Sequence, residues 1–245
     1  MSRAAAILPF FRGDTAHARE LAGEWVALAR PTGDPYEIAQ ALTMLGAAQG
    51  ADGDFDLART TNEEAVRVAR DAAIPSALSI ALSILAASSP IDESDRILAL
   101  IDEAIEVGTQ IGDRIAVRAG ISNKGWVAAY RGDYTLALHA AVESAKGFLQ
   151  DGDLGSGTPV IAVAAVALTH LGHPEPAAIL DGFAKHSSFP MGEWATQLFS
   201  DAETAMIAQL GQPEFDNLRA QGAAITLGDA YTYLINIAQT QAPMA

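Results

Sequence analysis

The chain has 245 residues, half of them hydrophobic, with 15 Lys and Arg against 30 Asp and Glu, a formal net charge of −15 and no cysteine. Such a surface repels phosphate backbones and anionic lipid headgroups, so neither direct nucleic-acid binding nor docking on an anionic membrane is expected. The lack of cysteine removes disulfides, thiolate metal sites and a cysteine nucleophile, and fits a cytoplasmic protein.

At the N-terminus Arg3 precedes the apolar stretch Ala4 to Phe11, and Ala16-His17-Ala18 has the small-residue look of a cleavage motif. A secretory signal needs an apolar core that runs unbroken up to the cleavage region, and Arg12, Gly13 and Asp14 interrupt this one. A plain helix over Ser2 to Phe11 is expected. It looks truncated and apolar, as if the array continued upstream or a partner covered it. The densest apolar run, Ile161 to Leu168, falls well short of the ~20 residues that cross a bilayer.

Turn-like tripeptides then set a ruler. Gly13-Asp14-Thr15, Gly53-Asp54-Phe55, Gly132-Asp133-Tyr134, Gly172-His173-Pro174 and Gly211-Gln212-Pro213 have glycines spaced by 40, 79, 40 and 39 residues, with Ser89-Pro90-Ile91-Asp92 standing near the missing member. A second series lies about 20 residues out of phase: Gly33-Asp34-Pro35, Gly112-Asp113 and Gly152-Asp153, with Ile74-Pro75 near its missing member and Pro190-Met191-Gly192 one period on. Two interleaved rulers of this stride imply a unit of two segments joined by turns. The segments carry helical apolar periods: Ile38, Leu42 and Leu45; Leu57, Ala58, Ala65, Val68 and Ala69; Ile97, Ile101, Ala104 and Ile105. Asp34, Asp54, Asp92 and Asp133 stand where N-caps are needed, and Pro35 suits a first helical turn. Gly46 and Gly125 each precede a turn glycine by seven residues, and their shared register implies close approach of the paired helix. The expected class is all-α, with units at 1-32, 33-73, 74-111, 112-151, 152-190 and 191-225 and a capping helix over 226-240 as one repeat domain.

These residues resemble the tetratricopeptide repeat (TPR). Leu45-Gly46, Gly53, Phe55, Ala58 and Ala65 stand at that motif's spacing, Gly125, Gly132, Tyr134 and Ala137 repeat most of it, Gly172, Ala177 and Ala184 keep three positions, and Gly13 and Ala18 keep two. The stride of about 40 residues departs from the motif's 34. The longer version is similar to the helical arrays at the C-terminal ends of bacterial LuxR-type regulators and signalling ATPases. The resemblance implies a right-handed α-solenoid of about six antiparallel hairpins. It also implies a non-catalytic role, without a cofactor, as the sensor or interaction region of a bacterial transcriptional or signalling regulator. An ATPase or cyclase module upstream in a longer parent would complete such a protein, because this chain has neither a phosphate-binding loop nor a basic helix-turn-helix. A stand-alone helical enzyme with an acidic central cavity and an oligomerisation module are the alternatives.

Three constellations invite a chemical reading. Asp52, Asp54, Asp56 and Glu63 match positions 1, 3, 5 and 12 of a calcium loop, but Leu57 stands where that loop needs glycine, and the repeat already explains the acids as turn and cap. Asp151-Gly152-Asp153 with Gly155-Ser156-Gly157 forms a Gly-rich loop without the strand that a dinucleotide site needs. His170 and His173 stand beside Glu175 with a helical spacing for two metal ligands, yet Gly172 and Pro174 break the helix between them. His17, His139 and His186 are isolated, with Glu143 four residues after His139 as a surface pair. No GxSxG elbow accompanies the serines. In TPR-like hairpins the first helix of each unit lines the concave face, and at that register stand Gln40, Thr43, Ser79, Ser83, Ser122, Asn123, Trp126, Tyr130 and Asp201. Asn123, Trp126 and Tyr130 share a helical face, so either the partner, a protein or a small effector, sits there or Trp126 simply packs between hairpins.

Overall fold

The computed structural model describes residues 8–10, 12–152, 157–186 and 193–240. The expected helix over Ser2 to Phe11 lies largely outside these residues, as do Asp153, Gly155, Ser156 and the Pro190-Met191-Gly192 turn. The described residues form α-helices joined by short turns, with no strand among them. In chain order the helices are α1 (Thr15–Ala29), α2 (Pro35–Ala51), α3 (Phe55–Asp71), α4 (Pro75–Ala87), α5 (Ser94–Gln110), α6 (Arg114–Tyr130), α7 (Tyr134–Asp151), α8 (Thr158–His170), α9 (Pro174–His186), α10 (Glu193–Leu210), α11 (Gln212–Ala223) and α12 (Leu227–Thr240).

The turns fall where the two glycine series put them. Gly13, Gly33, Gly53, Gly112, Gly132, Gly152, Gly172 and Gly211 all have φ between +68° and +86°, the left-handed region that glycine enters at no steric cost. Ala73 is the one non-glycine with positive φ among the described residues, at +52°, and it occupies the gap in the second series. Asp14, Asp34, Asp113 and Asp133 accept from backbone N–H groups of the helix that follows them, at 2.9–3.3 Å. Two expected caps differ. Asp54 makes no cap bond and pairs with Arg19. Asp92 lies inside the 3-10 turn Ile91–Glu93, because Pro90 starts that turn before α5 begins at Ser94.

The chain divides into two compact units, Met1–Gly120 and Ile121–Ala245, with the boundary inside α6. In the first, α1 to α5 pack in succession, and α2 also touches α4. Hairpin partners run antiparallel and come close: a Cβ at Gly46 would strike Asn62, and one at Gly50 would lie 3.7 Å from Ala58. The second helices of successive hairpins run parallel, as their ion pairs show. Arg19 reaches Asp54 at 3.2 Å and Arg30 reaches Glu64 at 2.9 Å. One stride of 40 residues later, Arg59 reaches Glu93 at 3.7 Å and Arg70 reaches Glu103 at 2.6 Å. Trp25, Leu42, Val66, Leu82 and Leu85 form the core between them.

The second unit is built around α8, whose residues from Val160 to Thr169 are all buried. A helix apolar on every side must be surrounded, and α7, α9, α10 and α12 all pack on it. Gly125 meets α7 as its register implies, with Ala140 Cβ 3.2 Å from a Cβ built there. Past α9 the packing changes. Gly182 sits against the Arg219 backbone and Gly222 against that of Ile179, so α9 and α11 cross closely and in opposite directions. In the first unit the corresponding helices run parallel. The last helix, α12, folds back onto α7, α8 and α9. There Tyr231 is fully buried, its ring stacked 6.2 Å from Phe148 and pressed against Gly157.

Candidate functional site

The residues expected to line a groove are dispersed. Gln40 and Thr43 on α2 are buried, and Thr43 Oγ1 donates to the Ala39 carbonyl at 2.8 Å. Ser79 is fully buried and donates to the Ala104 carbonyl at 3.1 Å, tying α4 to α5. Ser83 is half-buried and donates back to Ser79. These hydroxyls serve helix backbone, which is the common fate of Ser and Thr on packed helices. Ser88 and Ser89 likewise bond the carbonyls of the turn before them.

The acids of the calcium-like loop point to arginines. Asp52 and Asp54 pair with Arg19 at 3.6 and 3.2 Å, Asp56 with Arg59 at 3.5 Å, and Glu63 with Arg96 at 2.7 Å. Among the described residues no three carboxylate or imidazole groups converge as a metal site would need.

In the second unit, by contrast, several expected residues come together. Ser122 is buried and Asn123 half-buried on α6. Trp126, also on α6, is 6% exposed, and one turn on Tyr130 is 43% exposed. Both meet the same third ring, Trp194 in the first turn of α10: Trp126 at 6.2 Å and 81°, Tyr130 at 6.1 Å and 75°. Edge-to-face rings of this kind hold one another in place. Tyr130 therefore keeps an exposed part of its side chain in a place set by Trp194.

Asp201 stands two turns beyond Trp194 on α10, exposed, and accepts a 2.7 Å bond from Gln197. It is close enough to His170 to act on its charge. His170 ends α8 and stacks on Tyr134, the first residue of α7, at 4.1 Å and 10°. Burial pushes the His170 imidazole below its usual pKa, and Asp201 pulls weakly the other way. His173 lies in the turn after α8 and takes no part in this stack. Tyr130 and Trp194, backed by the buried Trp126, and the His170–Tyr134 stack with Asp201 thus lie along one side of α10, where seven residues, close to two turns, separate Trp194 from Asp201. Its chemistry is aromatic stacking beside a carboxylate, which suits recognition of a ligand.

A second cluster, not anticipated, lies at the α9–α11 crossing. Asp181 is fully buried, 3.3 Å from Arg219 Nε, and its oxygens accept no hydrogen bond among the described residues. Arg219 and Lys185 both also reach Glu203, at 3.0 Å. Burial pushes the Asp181 carboxyl up to about 6, against the pull of Arg219.

No protein-family model matches the chain, and no curated protein matches it either.

Proposed function

We propose that this chain is a non-catalytic helical-repeat scaffold that binds a protein partner or effector, with the Tyr130–Trp194 face as its docking site. The observation that carries the reading is that face: a large ring 43% exposed, held in a T-shaped contact with a half-buried tryptophan. Fixed aromatic anchors give affinity at low entropic cost, which is how preformed surfaces bind. The stride of the turn glycines and the repeated ion pairs of the first unit support a TPR-like array. A right-handed solenoid of about six hairpins extends that pattern, with the sixth pair repacked at the α9–α11 crossing. As in the regulator arrays that the sequence resembles, the module would serve as the sensor or interaction region of a bacterial signalling or transcriptional regulator. A cytoplasmic place suits it, and no helix among the described residues is long and apolar enough to cross a membrane.

A peptide-display selection tests the reading. Immobilised protein should enrich peptides whose binding is lost in Tyr130→Ala and Trp194→Ala, with the helical circular dichroism of Tyr130→Ala unchanged. Enriched peptides that bind Tyr130→Ala as well as the parent chain would move the docking site elsewhere. A selection that enriches nothing would count against a peptide-binding scaffold.

A further inference from the structure

The occupant of this face can be specified from its charge and its spacing. Tyr130, 43% exposed, and the half-buried Trp194 supply aromatic surface at one end of the face. Asp201 lies seven residues along the same helix from Trp194, about 10 Å away at 1.5 Å per residue. Its described contacts are the bond from Gln197 and the field of His170, and no cation pairs with it among the described residues. Partial desolvation lowers the pKa of the otherwise exposed His170 imidazole, against the pull of Asp201, and so favours its neutral form. The chain as a whole carries a formal charge of −15, which draws cationic ligands and repels anionic ones.

We propose that this face binds a basic, extended segment of a partner protein, one cationic side chain lying on Tyr130 and Trp194 and a second, three residues away, pairing with Asp201. A segment extended as a polyproline II helix rises about 3.1 Å per residue with three residues per turn, so cations three residues apart lie on one side, about 9 Å apart, and match the two anchors. The aromatic end attracts an ammonium or guanidinium through the ring quadrupole, and its worth grows where the site excludes water. This inference rests on the docking face proposed above and adds the chemistry of its ligand.

The test uses the full chain and three synthetic peptides with blocked ends: four Lys-Gly-Gly repeats, the same peptide with norleucine for lysine, and the same with glutamate. Binding is read by tryptophan fluorescence and by calorimetry. The lysine peptide is expected to bind, and the other two more weakly by about ten-fold or more. Tyr130→Phe should keep binding, whereas Tyr130→Leu, which retains apolar bulk without the ring quadrupole, should weaken it by about three- to ten-fold. Asp201→Asn should weaken it by a few-fold and flatten the salt dependence. Equal binding of the lysine peptide to the parent chain and Tyr130→Leu would reduce the attraction to the general acidity of the surface and overturn the proposal. Tighter binding of the norleucine peptide would overturn it too while leaving an apolar docking face in place. Failure of all three peptides to bind would overturn the basic-segment proposal, and the display selection would decide the docking face separately.

Discussion

Replacing Gly182 with alanine puts the α9–α11 crossing to a direct test. A Cβ at Gly182 would overlap the Arg219 carbonyl oxygen, with the carbonyl carbon at 2.8 Å and Cα at 2.9 Å. Ordinary contact begins near 3.4 Å, and all three atoms are backbone, so no rotamer change relieves the overlap. The helices must part by on the order of an ångström, in the unit whose core is otherwise fully packed. Overpacking of this kind costs about 1–3 kcal/mol, and a backbone obstacle places it at the upper end. Against that stands a gain of about 1 kcal/mol from alanine's better helix propensity. The net expectation is a loss of about 2 kcal/mol. Gly222→Ala meets the Ile179 backbone in the same crossing and should cost a similar amount. One separation relieves both contacts, so the double variant should lose less than the two losses added together. Gly23 on α1 is the control, since a Cβ there meets nothing within 4 Å and Gly23→Ala should gain up to about 1 kcal/mol. Urea unfolding followed by far-ultraviolet circular dichroism measures all four. The control and the crossing lie in different units, so where the units melt separately each substitution moves its own transition. Gly182→Ala as stable as the parent chain, or as stabilising as Gly23→Ala, would refute the close crossing.

Four other substitutions have signs fixed by the structure. Asp181→Asn should stabilise the protein at pH 7.5 and do little at pH 4. A carboxyl raised from 3.8 to about 6 in the fold binds its proton more tightly folded than unfolded, so stability is full below pH 4 and falls as pH rises through about 6. The displacement is worth about 3 kcal/mol at most, and urea midpoints across pH 4 to 8 would show the parent chain converging on the variant at the acid end. Ala73→Gly should raise stability by up to about 1 kcal/mol by relieving a left-handed alanine, while Gly53→Ala at φ +86° should lower it by about as much. Thermal melts of the pair with opposite shifts would bear this out. Arg70→Ala removes an ion pair whose side chains are 51% and 39% exposed, and its cost should stay below about 1 kcal/mol and shrink in 1 M salt.

The sequence made the turns legible because a left-handed backbone position selects glycine whatever packs around it. Even the gap in the second series was marked, by Ile74-Pro75 one residue past Ala73. The packing role of Gly46 and Gly125 was readable for a related reason, since a helix-weakening residue repeated at one register needs a neighbour that excludes a side chain. The ion pairs between successive second helices were less legible. Each joins residues 33 to 35 apart, and nothing in one helix says which rung of the next it faces. Gly182 and Gly222 stand 40 residues apart and so look like one more repeat position, yet they face each other across an antiparallel crossing. Composition cannot distinguish a glycine that meets its hairpin partner from one that meets the next hairpin. Of the residues expected at the groove, Trp126 and Tyr130 share a helical face in the sequence, and in the structure both meet Trp194. Trp194 carried no such signal, because it stands 68 and 64 residues away from them in the chain. Ser79 and Thr43 were misjudged because a hydroxyl bonded to its own helix or its neighbour's backbone has the same sequence signature as one awaiting a ligand.

The candidate site lies in the unit where the repeat is least regular, and the two facts have one cause. In a strict stack the first helices of successive units run parallel, and like ends stand side by side. Here the first turn of α10 brings Trp194 to the last turn of α6, so opposite ends meet. The reversed α9–α11 crossing fits the same departure, since α10 is the helix between them. Regular stacking would leave the last turns of α6 and α8 facing another helix end with its own turn glycine. The departure sets a tryptophan, and two turns later a carboxylate, against those ends instead. Places where a local pattern and the wider fold disagree are where functional surfaces are expected, because the irregular arrangement must be held by specific contacts. The crossing at Gly182 and Gly222 joins α9 to α11, the two helices that flank α10 in the chain and both pack on it. Loosening the crossing should therefore turn α10 and change the environment of Trp194 without touching the site. A Gly182→Ala chain that stays folded should show a shifted Trp194 emission and weaker peptide binding, and unchanged emission and binding would separate the crossing from the site.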